Sequence, residues 1–131
     1  MNVTVFIAGI VALLAAIGHF TIGKKQFLGP MLNADFELVA KKVMHSVFHY
    51  VSVFLLLSAF FLIMIGSRGT RCVFDPSLIL LFLGASYFLM ALWQILIALT
   101  AKVSLLKMFQ WIFWLVIAVL IFLGMDGLPP G

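Results

Sequence analysis

Four long apolar runs, separated by short stretches that carry nearly all the charge, set the pattern of the chain. They are Val3 to about Ile22, about Val43 to Ile65, Ser77 to Leu99, and about Leu105 to Leu123. A helix crossing a hydrocarbon core of about 30 Å needs about 20 apolar residues. Each run has roughly that length, and Lys, Arg, Asp and Glu are absent from them except at the margins, where Lys107 falls. Lipid offers the backbone no hydrogen-bond partner, so each run must be helical. A membrane barrel would instead alternate polarity over segments of about ten residues. The pattern predicts an all-α membrane protein, an up-down four-helix transmembrane bundle. It forms a single domain over residues 1–131, with helices at about 3–22, 35–65, 77–99 and 104–124.

Composition agrees. The chain is 66% apolar and 9% charged, against about 45–50% and 25% in a soluble domain. A single domain of 131 residues has too little interior to bury that much apolar surface. A disordered chain, a nucleic-acid module and a soluble enzyme are excluded, and the lipid bilayer is the expected partner. One cysteine, Cys72, allows no intrachain disulfide. No Lys or Arg precedes the first run, so a cleaved secretory signal is not expected. Lys24 and Lys25 follow the run and would retain and orient it.

The connections carry the orientation. Lys24, Lys25, Lys41 and Lys42 flank the first, and Lys102 and Lys107 the third, while the second has only Arg68 and Arg71. The positive-inside rule then puts the first and third connections in the cytoplasm and both termini outside. Asn33 or Asp35 is the expected cap of the second helix, with Asp35 and Glu37 at its positive dipole end and Glu37 paired with Lys41 at i,i+4. The segment "FLGPML" before it is expected in the headgroup zone or folded under the bundle. "GSRGTRCVFDP" reads as a turn, with Pro76 near the start of the third helix.

Small and polar residues recur at helical spacing along three runs: Gly9, Ala12, Ala16 and His19; Gly84, Tyr87, Ala91, Gln94 and Ala98; Gln110, Trp114, Ile117 and Ile121. Membrane helices associate through such seams. Trp111 and Trp114 are expected either as interface anchors, the commoner reason for tryptophan there, or as packing.

Candidate chemistry centres on the three histidines. His19 lies five residues before Lys24, and His45 and His49 lie three and seven beyond Lys42. At the rise of an α-helix these offsets place His19 roughly 7 Å, and His45 and His49 about 5 and 10 Å, beneath the cytoplasmic boundary. Gln94 and Gln110 fall at a similar depth. Ionisable residues inside a membrane usually face the protein interior and mark sites. Imidazole suits Zn, Cu, Fe and Ni, so His19, His45 and His49 are candidate ligands for a transition metal (Zn, Cu or Fe), with Gln94 and Gln110 as hydrogen-bonding supports. Haem b ligated from two helices is a second use, proton handling a third, and plain interhelical hydrogen bonding a fourth. The His45–His49 spacing is that of helical zinc sites, but "HSVFH" lacks the general-base Glu of H-E-x-x-H.

The stretch "GHFTIGKKQFLGPML" followed by "HSVFHYVS" resembles small four-span bacterial inner-membrane proteins of no assigned function. These carry a His-Ser-x-x-Gly-Glu segment ending the first helix, then a Pro-Leu pair, then an aromatic-His pair opening the second. His19, Gly23, Pro30 and His49 match that pattern over the first half of the chain; His45 lies outside it, and Lys24 stands where the family has Glu. The resemblance implies a bacterial inner-membrane location and no activity. No nucleotide-binding glycine pattern, Ser-His-Asp set, Glu-x-x-His motif or carboxylate within a span occurs, so an enzyme is the weaker class. A metal- or haem-binding membrane protein stands first. A structural or accessory subunit and a small oligomeric transporter are the rivals, with a homo-oligomer or a larger membrane complex as the setting.

Overall fold

Asn2 opens the first helix. Its side-chain oxygen accepts the Val5 N–H at 3.1 Å, satisfying one of the backbone donors a helix start leaves unpaired. The computed structural model describes residues 1–68 and 76–126, with Arg68 by its backbone alone. Helix α1 spans Val3–Gly18 and continues without a break through a π-helical stretch, His19–Leu28, into α2, Gly29–Asn33. Helix α3 is Leu38–Arg68, α4 is Pro76–Thr100 and α5 is Gln110–Met125. The described chain is all-helical, a four-helix bundle. Val3–Asn33, Leu38–Ser67 and Pro76–Thr100 are each long and apolar enough to cross a membrane, and α5 is a shorter apolar helix.

Helix α1 lies along both α3 and α5, and α5 lies along α4, whereas α3 and α4 barely meet. The seams read from the sequence face inward: Gly9, Ala12 and Ala16 on α1, Gly84, Tyr87, Ala91 and Ala98 on α4, and Trp114, Ile117 and Ile121 on α5 are buried. Contact between α1 and α3 is close enough that two glycines are required. A Cβ at Gly66 would stand 2.5 Å from the Phe6 nitrogen, and one at Gly9 would stand 2.8 Å from the Ile63 nitrogen. At the same end Asn2 joins three helices. Its backbone N–H donates to the Gly66 carbonyl at 2.8 Å, and its side-chain amide donates to the Gly124 carbonyl at 2.7 Å. Midway, the buried Tyr87 hydroxyl of α4 hydrogen-bonds Ser58 of α3, whose own hydroxyl donates to the Leu55 carbonyl at 3.0 Å.

Three local expectations change. "FLGPML" is helical rather than a loop, and Leu28 within it is buried. The cap of α3 is Glu37, not Asn33 or Asp35: its carboxylate accepts the Val39 and Ala40 N–H groups at 3.1 and 2.9 Å. Lys41, its expected i,i+4 partner, places its ammonium over the Phe36 ring, 5.5 Å from the centroid. The last helix begins at Gln110 rather than near residue 104. The chain leaves α4 through a left-handed residue, Lys102, with φ of 53°. There the Val103 N–H donates to the Ala98 carbonyl at 2.9 Å, and the Lys102 N–H donates to Leu99 at 3.3 Å. That is the Schellman pairing, which stops a helix however apolar the residues that follow. Pro76 opens α4 as expected. Arg71, Cys72, Asp75 and the Arg68 side chain lie outside the described residues.

Two predictions follow from this packing. Gly66→Ala forces backbone apart and should cost about 1–3 kcal/mol in detergent unfolding. Gly18→Ala, whose Cβ would meet nothing within 4 Å, should be neutral or stabilise by up to about 1 kcal/mol. The second concerns Glu37, whose carboxyl is held below the usual range by the Ala40 and then the Val39 N–H. A lowered folded value means its support of α3 is complete above the ordinary glutamate pKa of about 4.3 and fades as pH falls through the depressed value. In NMR titrations the Val39 and Ala40 amide signals should shift only below that ordinary value, and Glu37→Gln should remove the step.

Candidate functional site

The small-residue face of α1 delivers His19 to α3. His19 Nε2 lies 3.0 Å from the Phe48 carbonyl oxygen. A carbonyl can only accept, so Nε2 carries the hydrogen, and in the neutral ring Nδ1 is the unprotonated nitrogen. The imidazole stacks on the Phe48 ring with centroids 4.0 Å apart and planes at 19°. Gly23, further along the π-helical stretch, leaves room beside the pair; a Cβ there would lie 3.5 Å from His19 Nδ1. Ser52 also donates to the Phe48 carbonyl, at 3.2 Å.

Gln94 of α4 bridges to α5. Its amide nitrogen donates to Gln110 Oε1 at 2.8 Å and to the Met108 carbonyl at 3.3 Å. Its oxygen accepts the Trp114 indole N–H at 3.1 Å. Trp111 donates to the Leu105 carbonyl at 3.2 Å. Together these side chains satisfy carbonyls of the non-helical turn that precedes α5, which lipid could not do. A cleft of about 90 Å³ between the end of α1 and the start of α5 is lined by His19, Gly23, Phe27, Gln110, Phe113 and Trp114, among others. His19, Gln94 and Gln110 therefore stand at one level of the bundle.

His45 and His49 form a separate group. Their Nε2 atoms face each other at 3.1 Å, with ring centroids 5.0 Å apart. His45 is half-buried and His49 exposed. The three histidines thus do not form the ligand set expected of them. Among the described residues no group of three His, Cys, Asp or Glu side chains converges. The reason is angular: successive helical residues point about 100° apart, so the face of α3 that meets His19 at Phe48 turns His49 away. Gln94 and Gln110 likewise support each other and Trp114, not His45 and His49. The cleft, at about 90 Å³, is far smaller than the about 300–1,000 Å³ of sites for drug-sized ligands.

Of the two roles expected for Trp114, packing is the one found: it is buried, with its ring stacked on Tyr87 at 5.9 Å. Its four-residue step from Gln110 along the seam of the last apolar run was the available signal. Asn2 and the Ser58–Tyr87 bond carry polar contacts between helices that the reading of the sequence passed over. Comparison with protein-family models, curated proteins and solved structures finds no match.

Gln94 holds three partners, so its loss should matter more than that of Gln110. Gln94→Leu leaves the Trp114 N–H and the Met108 carbonyl without it. It should lower stability by about 1–2 kcal/mol in detergent unfolding, within the range of interhelical hydrogen bonds in membrane proteins, with Gln110→Leu costing less.

Proposed function

We propose that this is a multi-pass protein of the bacterial inner membrane, with both termini outside, that binds a transition-metal ion through His45 and His49 at its cytoplasmic end. The observation that carries the reading is the 3.1 Å separation of the two Nε2 atoms. Two imidazole nitrogens on a tetrahedral zinc ion, at about 2.0–2.1 Å from the metal, stand about 3.3–3.4 Å apart. An ion would replace the N–H···N hydrogen bond that now joins the rings, with both nitrogens unprotonated and turned toward it. The i,i+4 spacing is the one that helical zinc sites use. The location rests on the six lysines flanking the first and third connections and on the resemblance of the first half of the chain to small inner-membrane proteins. His19, Gln94 and Gln110 hold the helices that present the pair.

A second reading has its own support. Among the described residues no buried side-chain polar atom lacks a hydrogen-bond partner, which is what a structural or accessory subunit with no ligand requires. Zinc binding by the full chain in detergent, followed by calorimetry and elemental analysis, separates the two. Metal binding predicts retained zinc, weakened more than about 10-fold in His45→Ala and in His49→Ala. His19→Ala should keep its zinc and lose thermal stability instead. Zinc that binds equally well without both His45 and His49, or no zinc at all, leaves the accessory subunit standing.

A further inference from the structure

Resting on that reading, we infer that the metal site is shared: two copies of this chain, side by side in the membrane, each supply His45 and His49 to one zinc-class ion. A tetrahedral structural site takes four protein ligands. One chain brings two, and among the described residues no further His, Cys, Asp or Glu side chain joins them as a third. A second pair of imidazoles completes the set with donors of the same type.

The placement of the pair permits this. His49 is exposed and His45 half-buried, so the two nitrogens are reachable from outside the bundle. Leu56 and Phe60, seven and eleven residues beyond His49, fall within about 20° of it on either side of the same helical line. They are 45% and 60% exposed, so among the described residues no helix covers this edge of α3 over about three turns. The membrane does the rest. Positive-inside insertion gives every copy the same orientation and depth, so a two-fold axis along the membrane normal sets His45 and His49 of both copies at one level. Lateral diffusion alone then brings four imidazoles together. An isologous contact of this kind closes on itself at the dimer. The apolar edge adds close packing but no strong drive of its own in lipid, so the ion is what holds the pair.

The experiment uses the full chain in detergent micelles, with zinc sulfate as the probe and light scattering to count chains. The expected result is about one zinc ion bound per two chains, conversion of monomer to dimer on addition, and reversal by a chelator. His45→Ala and His49→Ala should each abolish the conversion while far-ultraviolet dichroism stays helical. As an independent readout, Phe60→Cys in a Cys72→Ser background should cross-link to a second copy several-fold faster with zinc than without it. One zinc ion per chain with no dimer overturns the shared site and leaves the proposed metal binding intact. A dimer that forms equally without zinc, or in the histidine variants, also overturns it. No zinc binding in any form defeats the proposed metal binding itself.

Discussion

Lipid gives apolar helices little reason to prefer one another over acyl chains, so the bundle depends on how closely α1 can approach its neighbours. Dispersion falls off steeply with even a small gap. Backbone-level contact at Gly9 and Gly66 is therefore what makes the pairing of α1 with α3 favourable. The remaining arrangement follows from α1 as the shared element. Its other side takes α5, α5 carries α4, and α4 reaches α3 mainly through Tyr87. A groove of about 400 Å³ between α3 and α4, lined by Phe54, Leu57, Phe61 and Phe82 among others, is the geometric consequence of four helices organised around one.

Close packing alone would let the helices slide, because apolar surfaces in an apolar solvent specify register weakly. Polar contacts at three depths remove that freedom. Asn2 ties the start of α1 to the ends of α3 and α5. Tyr87 and Ser58 join α4 to α3 at mid-depth. The third layer holds His19 on the Phe48 carbonyl and Gln94 on Gln110 and Trp114. Each contact places a donor where its acceptor would otherwise be without water. A shift of α3 by one helical turn would break a contact in each of the three layers.

Most of this architecture was legible because burial in a membrane bundle selects residues by size as well as polarity. The step from Gly9 to His19 and the step from Gly84 to Ala98 both mark the faces that became buried. What the pattern could not convey was backbone conformation. The residues from Ser104 to Phe109 are apolar enough for a helix, yet Lys102 takes a left-handed turn that ends α4 and delays α5. The π-helical course of His19–Leu28 leaves no comparable mark in residue type. The candidate site was half legible. The common level expected of His19, Gln94 and Gln110 is met, since one cleft takes in His19 and Gln110 and Gln94 bonds Gln110. The direction expected around α3 is not, because arguments from depth ignore the angle at which neighbouring residues leave a helix.

That angle separates the polar residues of the lysine-bearing end into two kinds. Those that point inward are engaged: the His19, Gln94, Gln110 and Trp114 side chains each bond a neighbouring helix or turn. His45 and His49 lie toward an outer edge, and among the described residues their side-chain hydrogen bond is to each other, within one turn of one helix. A contact within one turn of one helix adds little to a fold whose helix is already continuous there. Leucine at both positions would suit a lipid-facing edge at least as well. Stability therefore explains the inward group and leaves the outward pair unexplained. The 3.1 Å approach of their Nε2 atoms is the feature that the proposed metal binding draws on.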